Sequence, residues 1–245
     1  KSEMVTELLF GEHFEVLEEK KSWVLIRIAY DGYECWIDKK QFLQVNDVKG
    51  ITDSNIAIAT DLAQLATDEN GIMTPVLLGS ALPKFKDGSF SLGKHKFTTG
   101  GAVTFPFEKK KEHSIEEIAK WYLNAPYLWG GRSPFGLDCS GFTQMVFKLN
   151  GIKLKRDAWQ QAEQGKTIGF VEEAKTGDLA FFDNDEGKIV HVGIILNFQI
   201  GSSSNLQIIH ASGKVRIDKL DHHGINNEEL KKYSHRLRVV KRFIL

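Results

Sequence analysis

This sequence has no excess of charge of either sign, no long apolar run and few cysteines, and each of these features narrows the range of possible functions. The 245 residues carry 32 Lys and Arg against 32 Asp and Glu, so the formal net charge is zero. A neutral chain gives no electrostatic reason to expect a nucleic acid or an acidic membrane as a partner. Because no apolar run approaches the roughly 20 residues that span a bilayer, we expect no membrane span in this chain. We also expect a monomer.

Cysteine usage and histidine spacing limit the covalent and metal chemistry. The sequence has only two cysteines, Cys35 and Cys139. A reactive Cys139 would leave no pair for a structural disulfide, so the cysteine count does not fix the redox compartment. His222 and His223 are adjacent, which in a strand would point them to opposite faces, and no cysteine or carboxylate set with ligand spacing lies nearby. We therefore expect a solvated loop there, no metal site and no cofactor.

The patterns that are present divide the chain into three segments. Residues 1–48 contain short strand-like runs separated by turn residues. Residues 49–110 continue with short strand candidates punctuated by glycine, which predicts a second small β-barrel. Residues 111–245 begin with the capping box Ser114-Ile115-Glu116-Glu117 and then alternate helical and strand patterns. The charged run over residues 108–112 is expected to be a solvated linker.

The first segment has recognisable sequence elements, namely Gly11-Glu12, Trp23-Val24 and Gly32-Tyr33-Glu34-Cys35-Trp36-Ile37. In these elements it resembles a bacterial SH3 domain, although Cys35 stands where that pattern usually has glycine. We expect Trp23 and Trp36 in the core, because large aromatic side chains dominate small cores. By analogy with multi-domain relatives, the second segment resembles another, divergent SH3-like domain.

A glycine-rich stretch leads from Tyr127 to Cys139, and a helical apolar pattern follows it as far as Asn150-Gly151. Asp138 is a good N-cap residue, so Cys139 is predicted in the first turn of a helix. The partial positive charge and free N–H groups of a helix start favour a thiolate. Beside a histidine, a cysteine pKa can fall from about 8.5 to roughly 3.5–7.5. The N–H of Cys139 could also donate to an oxyanion.

A lone cysteine in an apolar helix is more often a small buried core residue, so the histidines downstream matter. His191 and His210 each lie in a strand-like run, with a turn signal at 201–205 between the runs. A hairpin centred near residues 200 and 201 would place the two histidines directly opposite each other. One could then act as a base toward Cys139 while the other orients its ring.

Four motifs occur in a characteristic order: Pro126-Tyr127-Leu128-Trp129-Gly130-Gly131 with Asp138-Cys139-Ser140-Gly141-Phe142, then Gly177-Asp178-Leu179-Ala180-Phe181-Phe182, then His191-Val192-Gly193-Ile194, then Ile209-His210-Ala211-Ser212. Through them the chain resembles the NlpC family of cell-wall cysteine peptidases. The resemblance implies an α+β fold, with a papain-like catalytic domain preceded by two small SH3-like β-barrels. It also implies Cys139 as the nucleophile, His191 as the base and His210 as the orienting third residue.

The same resemblance implies cleavage of murein peptides between γ-D-glutamate and a diamino acid, so the expected partner is a murein-derived peptide. Tyr127 matches a tyrosine that lines the active site in the family, and Asp138 and Ser140 match substrate-contacting neighbours of the nucleophile. Arg156-Asp157 resembles a pair near the substrate pocket of related peptidases, in which serine commonly follows where Ala158 stands here. A surface turn pair is the alternative interpretation of Arg156-Asp157.

In relatives with fused SH3-like domains, the first such domain can close one end of the cleft. That closure would restrict substrates to peptides with a free N-terminal L-Ala and would release L-Ala-γ-D-Glu. The free ammonium would need a carboxylate and a phenol oxygen, for which Asp138, Glu12 and Tyr33 are candidates. The alternatives are a muramoyl-L-alanine amidase on the same fold, a zinc enzyme using the cysteine and both histidines, and a cell-wall peptide-binding protein.

The start of the chain bears on localisation. Neither an initiator methionine nor a signal peptide is visible at Lys1. For a bacterial protein of this kind we expect the cell envelope or periplasm if an export signal has been removed, and the cytoplasm otherwise.

Overall fold

The structure is a computed structural model, and it describes residues 3–45, 51–52, 55–107, 113–200, 203–227 and 231–243. The chain forms two compact units. The first unit comprises Lys1–Glu112 and Lys148–Lys153, and the second comprises His113–Phe147 and Leu154–Leu245. The boundaries expected near residues 48 and 110, and the expected linker over 108–112, lie outside the described residues. Within the described residues, no helix is long and apolar enough to cross a membrane.

The first unit begins with a three-stranded meander of β1 (Phe14–Glu19), β2 (Trp23–Ile28) and β3 (Glu34–Asp38), in the order β1-β2-β3. Alternate residues of β2 are fully buried and pack with Cys35 in one hydrophobic cluster. The expectation that Trp23 and Trp36 belong to this core is wrong, because their side chains are 50% and 39% exposed. Each tryptophan precedes or follows a buried strand residue, so strand alternation directs it to the opposite face.

Short strands continue through the described residues of the range 55–107, as the glycine-punctuated pattern predicts. Its strands are β4 (Ile56–Ala59), β5 (Ala63–Asp68), β6 (Met73–Leu77), β7 (Ala81–Pro83), β8 (Ser89–Leu92), β9 (His95–Thr98) and β10 (Val103–Thr104). They form the sheets β10-β4-β7 and β6-β5-β9-β8. These sheets share a hydrophobic cluster that includes Leu82 and Phe90, against which Phe10 packs. The identity of this part as a second SH3-like domain remains a prediction.

The first two helices of the second unit begin where the sequence predicts them. Helix α1 (Ile115–Trp121) has the complete capping box between Ser114 and Glu117. A short hairpin, β11 (Arg132–Ser133) and β12 (Gly136–Leu137), precedes helix α2 (Cys139–Leu149), and helix α3 (Ala158–Ala162) follows it. Cys139 is therefore the first residue of α2, as the Asp138 cap predicts.

A seven-stranded antiparallel sheet completes the second unit. Its strands are β13 (Lys166–Ile168), β14 (Leu179–Asp183), β15 (Ile189–Ile200), β16 (Ser203–Ser212), β17 (Lys214–Leu220), β18 (Gly224–Asn227) and β19 (Lys232–Arg242). The strand order is β13-β19-β14-β15-β16-β17-β18, and β18 also pairs with β19, so the sheet closes on itself. A hydrophobic cluster that includes Phe182, Ile195 and Ile208 fills it. The α+β prediction is confirmed, with more strand than helix.

The register of the β15–β16 hairpin differs from the sequence prediction. Ile200 pairs with Ser203 and Ile194 pairs with Ile209, so each residue of β16 pairs two positions further along β15 than expected. His191 is therefore not directly opposite His210. A side chain at Gly193 would instead meet the His210 Cβ at 2.8 Å. Strand side chains alternate between faces with a period of two residues. Because the pairing is shifted by two positions, His191 and His210 still share a face.

Candidate active site

The carboxylate of Asp138 organises the loop that leads into α2. Its Oδ2 accepts a hydrogen bond from Gly130 N at 2.9 Å, and its Oδ1 accepts one from Gly141 N at 2.6 Å. The second bond is the N-cap contact, which satisfies a backbone donor that the helix itself leaves without a partner. Asp138 thus connects the glycine-rich loop to the helix start on either side of Cys139.

A buried arginine balances the charge of this carboxylate. Arg156 is 1% exposed and donates from Nη1 and Nη2 to the two oxygens of Asp138, at 3.0 and 2.7 Å. Its Nη1 also donates to Ser140 Oγ at 3.0 Å, and that hydroxyl donates to Asp138 Oδ1 at 3.2 Å. Two parallel bonds between a guanidinium and a carboxylate give a rigid arrangement. Arg156 is therefore part of the site's framework, and the alternative of a surface turn pair does not apply to it.

Close backbone packing explains the glycines around Cys139. A Cβ on Gly141 would lie 2.3 Å from Gly131 O, and a Cβ on Gly131 would lie 2.3 Å from Gly136 O. Real Cβ atoms do not come this close to a backbone oxygen, so neither position has space for a side chain. The absence of side chains lets the first turn of α2 rest directly on the loop.

Cys139 itself is 8% exposed. Burial raises the pKa of its thiol to about 12, and the Asp138 carboxylate acts in the same direction. Hydrogen bonds from the backbone N–H groups of Val192 and Ser140 act the other way but do not compensate. The sequence-based expectation of a thiolate is therefore wrong for this structure, because loss of water around the sulfur outweighs the effect of the helix start. The Val192 contact places the sulfur beside the strand residue that follows His191.

His191 and His210 are in direct contact despite the changed register. His191 Nε2 lies 2.8 Å from His210 Nδ1, and the rings are nearly perpendicular at 82°. Both residues are buried, with exposures of 6% and 1%. Burial, followed by the nearby His210 and His235, lowers the pKa of His191 well below 6.5. His191 is thus a neutral imidazole near pH 7, which is the form that can accept a proton.

The chain of contacts continues past His210 to residues that the sequence analysis does not identify. His210 Nε2 lies 2.9 Å from Asp218 Oδ2, and Arg216 donates to both oxygens of Asp218, at 2.8 and 2.9 Å. The alternation of side chains along β17 indicates the position of Asp218 once the pairing of β16 with β17 is known. His210 pairs with Arg216, so residue 218 lies diagonally across from His210 on the same face.

A third histidine, His235, stacks on His191 with ring centroids 4.1 Å apart and an interplanar angle of 22°. Burial lowers the pKa of His235 to about 4. The apolar pattern of residues 236–245 predicts a final strand that starts one residue after His235, whereas β19 begins at Lys232 and includes it. His235 also borders a cavity of about 600 Å³, which is lined by Asp183, Asn184, Asp185, Val190, His223, Tyr233, Ser234, His235 and Arg236.

Tyr127 lies close to the thiol. Burial, together with Cys139 and Asp138 nearby, raises the pKa of the Tyr127 phenol to about 12. The phenol is therefore protonated at neutral pH and can donate a hydrogen bond. Such a donor beside a nucleophile can stabilise an oxyanion.

The remaining candidate residues have other surroundings. The side chain of Glu12 is 3% exposed, and its carboxylate accepts from Lys148 Nζ at 2.7 Å and from Leu9 N at 2.9 Å. A substrate ammonium would have to displace this buried ion pair. Tyr33 packs against the hydrophobic cluster of the first sheet. Asp157 precedes α3, and its backbone N–H donates to Gln160 Oε1 at 3.1 Å.

Two family models match parts of this chain. Residues 124–234 match the model of the NlpC/P60 family, and residues 1–42 match that of the bacterial dipeptidyl-peptidase SH3 domain. Two similar sequences are both named gamma-D-glutamyl-L-lysine dipeptidyl-peptidase. The Bacillus subtilis protein is 33% identical over 202 residues, covering 77% of this chain and 68% of that protein. The Bacillus cereus protein is 25% identical over 250 residues, covering 93% of this chain and 74% of that protein.

A solved structure shows the same fold. The crystal structure of an NlpC/P60 family protein from Bacillus cereus superimposes with a TM-score of 0.75 at 23% sequence identity, covering 97% of this chain and 81% of that chain.

Proposed function

This chain belongs to the NlpC/P60 family, and on that basis we propose that it is a cysteine endopeptidase that hydrolyses the bond between γ-D-glutamate and the diamino acid of murein peptides. In this proposal Cys139 is the nucleophile, His191 the general base and His210 the residue that orients His191. The observation that carries it is the connected arrangement at the start of α2. The sulfur of Cys139 contacts the N–H of Val192, and the neighbouring His191 contacts His210 at 2.8 Å.

In this proposal the resting site holds a neutral thiol and a neutral imidazole, because burial disfavours the charged form of each group and shifts the pKa of Cys139 up and that of His191 down. Attack therefore requires His191 to take the thiol proton as the sulfur forms its bond to the γ-carbonyl carbon. The resulting oxyanion would accept hydrogen bonds from the Cys139 N–H and the Tyr127 phenol. The imidazolium then gives its proton to the leaving amine of the diamino acid. Water, activated by His191 in turn, hydrolyses the thioester and restores the thiol.

We further propose that the substrate carries a free N-terminal L-Ala and that the first product is L-Ala-γ-D-Glu. The names of the two Bacillus relatives, which describe dipeptidyl-peptidases, support this specificity. Tyr127 and Ser140 are the proposed substrate contacts beside Cys139. Asp138 would act together with Arg156, because its carboxylate already accepts two bonds from that guanidinium.

Product identification by mass spectrometry tests both levels of the proposal. The substrates are L-Ala-γ-D-Glu-L-Lys, its diaminopimelate counterpart, and the N-acetylated form of each. We expect release of L-Ala-γ-D-Glu from the free-amine peptides alone. Equal cleavage of acetylated and free peptides would overturn the dipeptidyl specificity and leave a general endopeptidase. Cleavage of none of the four, with release of the peptide stem from a muramoyl peptide, would identify an amidase instead.

A further inference from the structure

Asp218 lies in the candidate active site, but the roles of nucleophile, base and orienting residue are assigned to other side chains and leave it without a function. It lies on β17 with its side chain 4% exposed, and its Oδ2 is 2.9 Å from His210 Nε2. Arg216, two residues earlier on the same strand, donates from Nε to Oδ2 and from Nη2 to Oδ1. The four side chains Arg216, Asp218, His210 and His191 thus form an unbroken series of hydrogen bonds.

We propose that Asp218, held by Arg216, is a positioning residue that fixes the tautomer of His210 and, through it, the tautomer of His191. The inference rests on the proposed function, because it assigns the atom with which His191 would act. It states that Nδ1 of His191 carries the lone pair that accepts the thiol proton.

The protonation state of Asp218 determines which nitrogen of His210 carries a hydrogen. Hydrogen bonds from His210 and Arg216 hold the pKa of its carboxyl below the usual value, although burial opposes them. An ionised carboxylate is only an acceptor. His210 Nε2 must therefore carry a hydrogen and donate it to Oδ2. Two acceptors facing each other at 2.9 Å would repel, so the opposite assignment of the ring is excluded.

The tautomer of the second ring follows from the first. A His210 ring with a single hydrogen, on Nε2, has an acceptor at Nδ1. Because His191 Nε2 lies 2.8 Å from that atom, His191 must donate through Nε2. The remaining nitrogen of a neutral His191 is Nδ1, and it bears the lone pair. The low pKa of His191, caused mainly by burial, keeps this ring neutral near pH 7.

Without Asp218, the direction of the hydrogen bond between the His210 and His191 rings is not fixed. His210 could then protonate on Nδ1 and donate to His191 Nε2, which would leave the hydrogen of His191 on Nδ1. That tautomer cannot accept the thiol proton at Nδ1. The charged and titratable groups around His210 in the described residues are Arg216 and Asp218 on β17, His191 on β15 and His235 on β19, whose ring centroid is 5.9 Å from that of His210. Among them only Asp218 is an obligatory acceptor.

The chain supplies a matched control for the loss of a buried ion pair. Asp178 has a side chain that is 4% exposed, and Arg242 donates to its two oxygens at 2.9 and 2.7 Å. Asp178 and Asp218 lie in the same unit and have the same kind of arginine partner. Unlike Asp218, Asp178 has no histidine among its hydrogen-bond partners given by the structure.

The experiment combines nitrogen NMR with steady-state kinetics. In the wild-type protein labelled with ¹⁵N-histidine, and with His191→Gln and His210→Gln variants for assignment, we expect pyrrole-type shifts at Nε2 and pyridine-type shifts at Nδ1 for both rings. Pyrrole-type shifts at His191 Nδ1 would overturn the proposal. This measurement needs no substrate and no change at Asp218, so its outcome does not depend on whether the proposed function is correct.

The variants then connect the tautomer to turnover. For Asp218→Ala we expect mixed tautomers at both rings and a kcat lower by about 10- to 100-fold, the range found when the outer hydrogen-bond partner of a metal-bound histidine is removed, with KM nearly unchanged. Asp178→Ala should lose comparable thermal stability yet keep the wild-type tautomers and kcat. If Asp218→Ala keeps both tautomers, or if the two variants lose kcat equally, Asp218 is structural and the inference is wrong.

Discussion

At the residue scale, the central finding is that burial controls the protonation of the catalytic candidates. A helix start alone would favour the Cys139 thiolate. The structure instead surrounds the sulfur with protein, and burial raises its pKa to about 12. Burial also lowers the pKa of His191 well below 6.5. Both shifts favour the neutral forms, so the proton would move from sulfur to imidazole only when substrate is attacked.

The pH dependence of alkylation tests this state of the thiol. Because iodoacetamide reacts with the thiolate, a raised pKa predicts that the rate at Cys139 increases about tenfold per pH unit from pH 7 to 10 without a plateau. Mass spectrometry of the Cys139 peptide measures the rate, and Cys139→Ala reports any reaction at Cys35. A plateau starting near pH 7 would show instead that the thiolate is the resting form.

The buried neutral His191 also makes stability depend on pH. Below about pH 6.5 the unfolded ring binds a proton that the native ring does not, so stability falls as the pH falls. For a single group the limiting slope is about 1.4 kcal/mol per pH unit. We expect the free energy of unfolding of the second unit, from urea titrations at pH 7, 6 and 5, to fall less steeply in His191→Gln than in wild type. The matched variant His222→Gln, at an exposed loop position, should keep the wild-type slope. Parallel slopes for all three proteins would contradict the expectation.

At this scale the sequence alone identifies residues whose side chains have distinctive chemistry. It does not identify residues whose role depends on the side chains that they contact. Cys139, His191 and His210 stand out because of their residue types and their turn and strand context. Asp218 and His235 do not, since an aspartate or histidine in a strand is common. Their positions become meaningful only when strand pairing places them against His210 and His191.

At the element scale, the start of α2 is defined by close contact between two backbone segments. Gly141 lies in the first turn of the helix and has space for a hydrogen only, because the Gly131 carbonyl faces it. The Asp138 cap to Gly141 N and the bond from the Arg156 guanidinium to Asp138 also hold this loop. The position of the thiol thus depends on packing as well as on helix propensity.

Substitution of Gly141 by alanine distinguishes the effect of backbone packing from the effect of helix propensity. Helix propensity alone predicts that Gly141→Ala stabilises the protein by up to about 1 kcal/mol. The 2.3 Å approach to Gly131 O predicts the opposite, a loss of about 1–3 kcal/mol from overpacking, together with lower activity. Thermal unfolding and peptide cleavage measure both. The matched change Gly169→Ala, where no atom lies within 4 Å of the added Cβ, should alter neither. A Gly141→Ala protein with wild-type stability and activity would contradict the packing account.

The elements themselves were largely predictable. The bounds of α2 agree with the sequence pattern because its apolar periodicity and its Asp138 cap are local signals. The β15–β16 register was not predictable to the residue, since several serines in the turn region offer no unique turn type. The exposure of Trp23 and Trp36 was also missed, because the aromatic content of a small domain does not tell which strand face each ring occupies.

At the scale of the whole molecule, the first unit includes a chain segment that the sequence order does not suggest. Residues Lys148–Lys153 belong to this unit, and Lys148 Nζ binds the Glu12 carboxylate at 2.7 Å with both side chains nearly fully buried. Lys148 Nζ also donates to Gly79 O at 3.0 Å. The pair is separated by 136 positions in sequence, so no local pattern could have predicted it. The sequence therefore made Glu12 a substrate candidate, whereas the structure gives its carboxylate a partner within the fold.

A double-mutant cycle measures this buried pair. Removing one partner leaves an uncompensated buried charge, so Lys148→Met and Glu12→Ala should each cost about 3–5 kcal/mol. The double variant should cost clearly less than the combined losses. Urea unfolding gives the three values, and Lys39→Met, which removes an exposed pair with Glu19, should cost less than about 1 kcal/mol. Additive losses at Lys148 and Glu12 would mean that the two side chains do not stabilise each other.

The identity of the acylated residue tests the central claim most directly. Turnover of L-Ala-γ-D-Glu-L-Lys is stopped with acid in the steady state, and peptide mapping by mass spectrometry locates any covalent adduct. We predict an L-Ala-γ-D-glutamyl thioester on Cys139 in the wild-type protein, and neither adduct nor released lysine with Cys139→Ala. Release of lysine by Cys139→Ala at the wild-type rate, or an adduct on another residue, would contradict the assignment of Cys139 as the nucleophile.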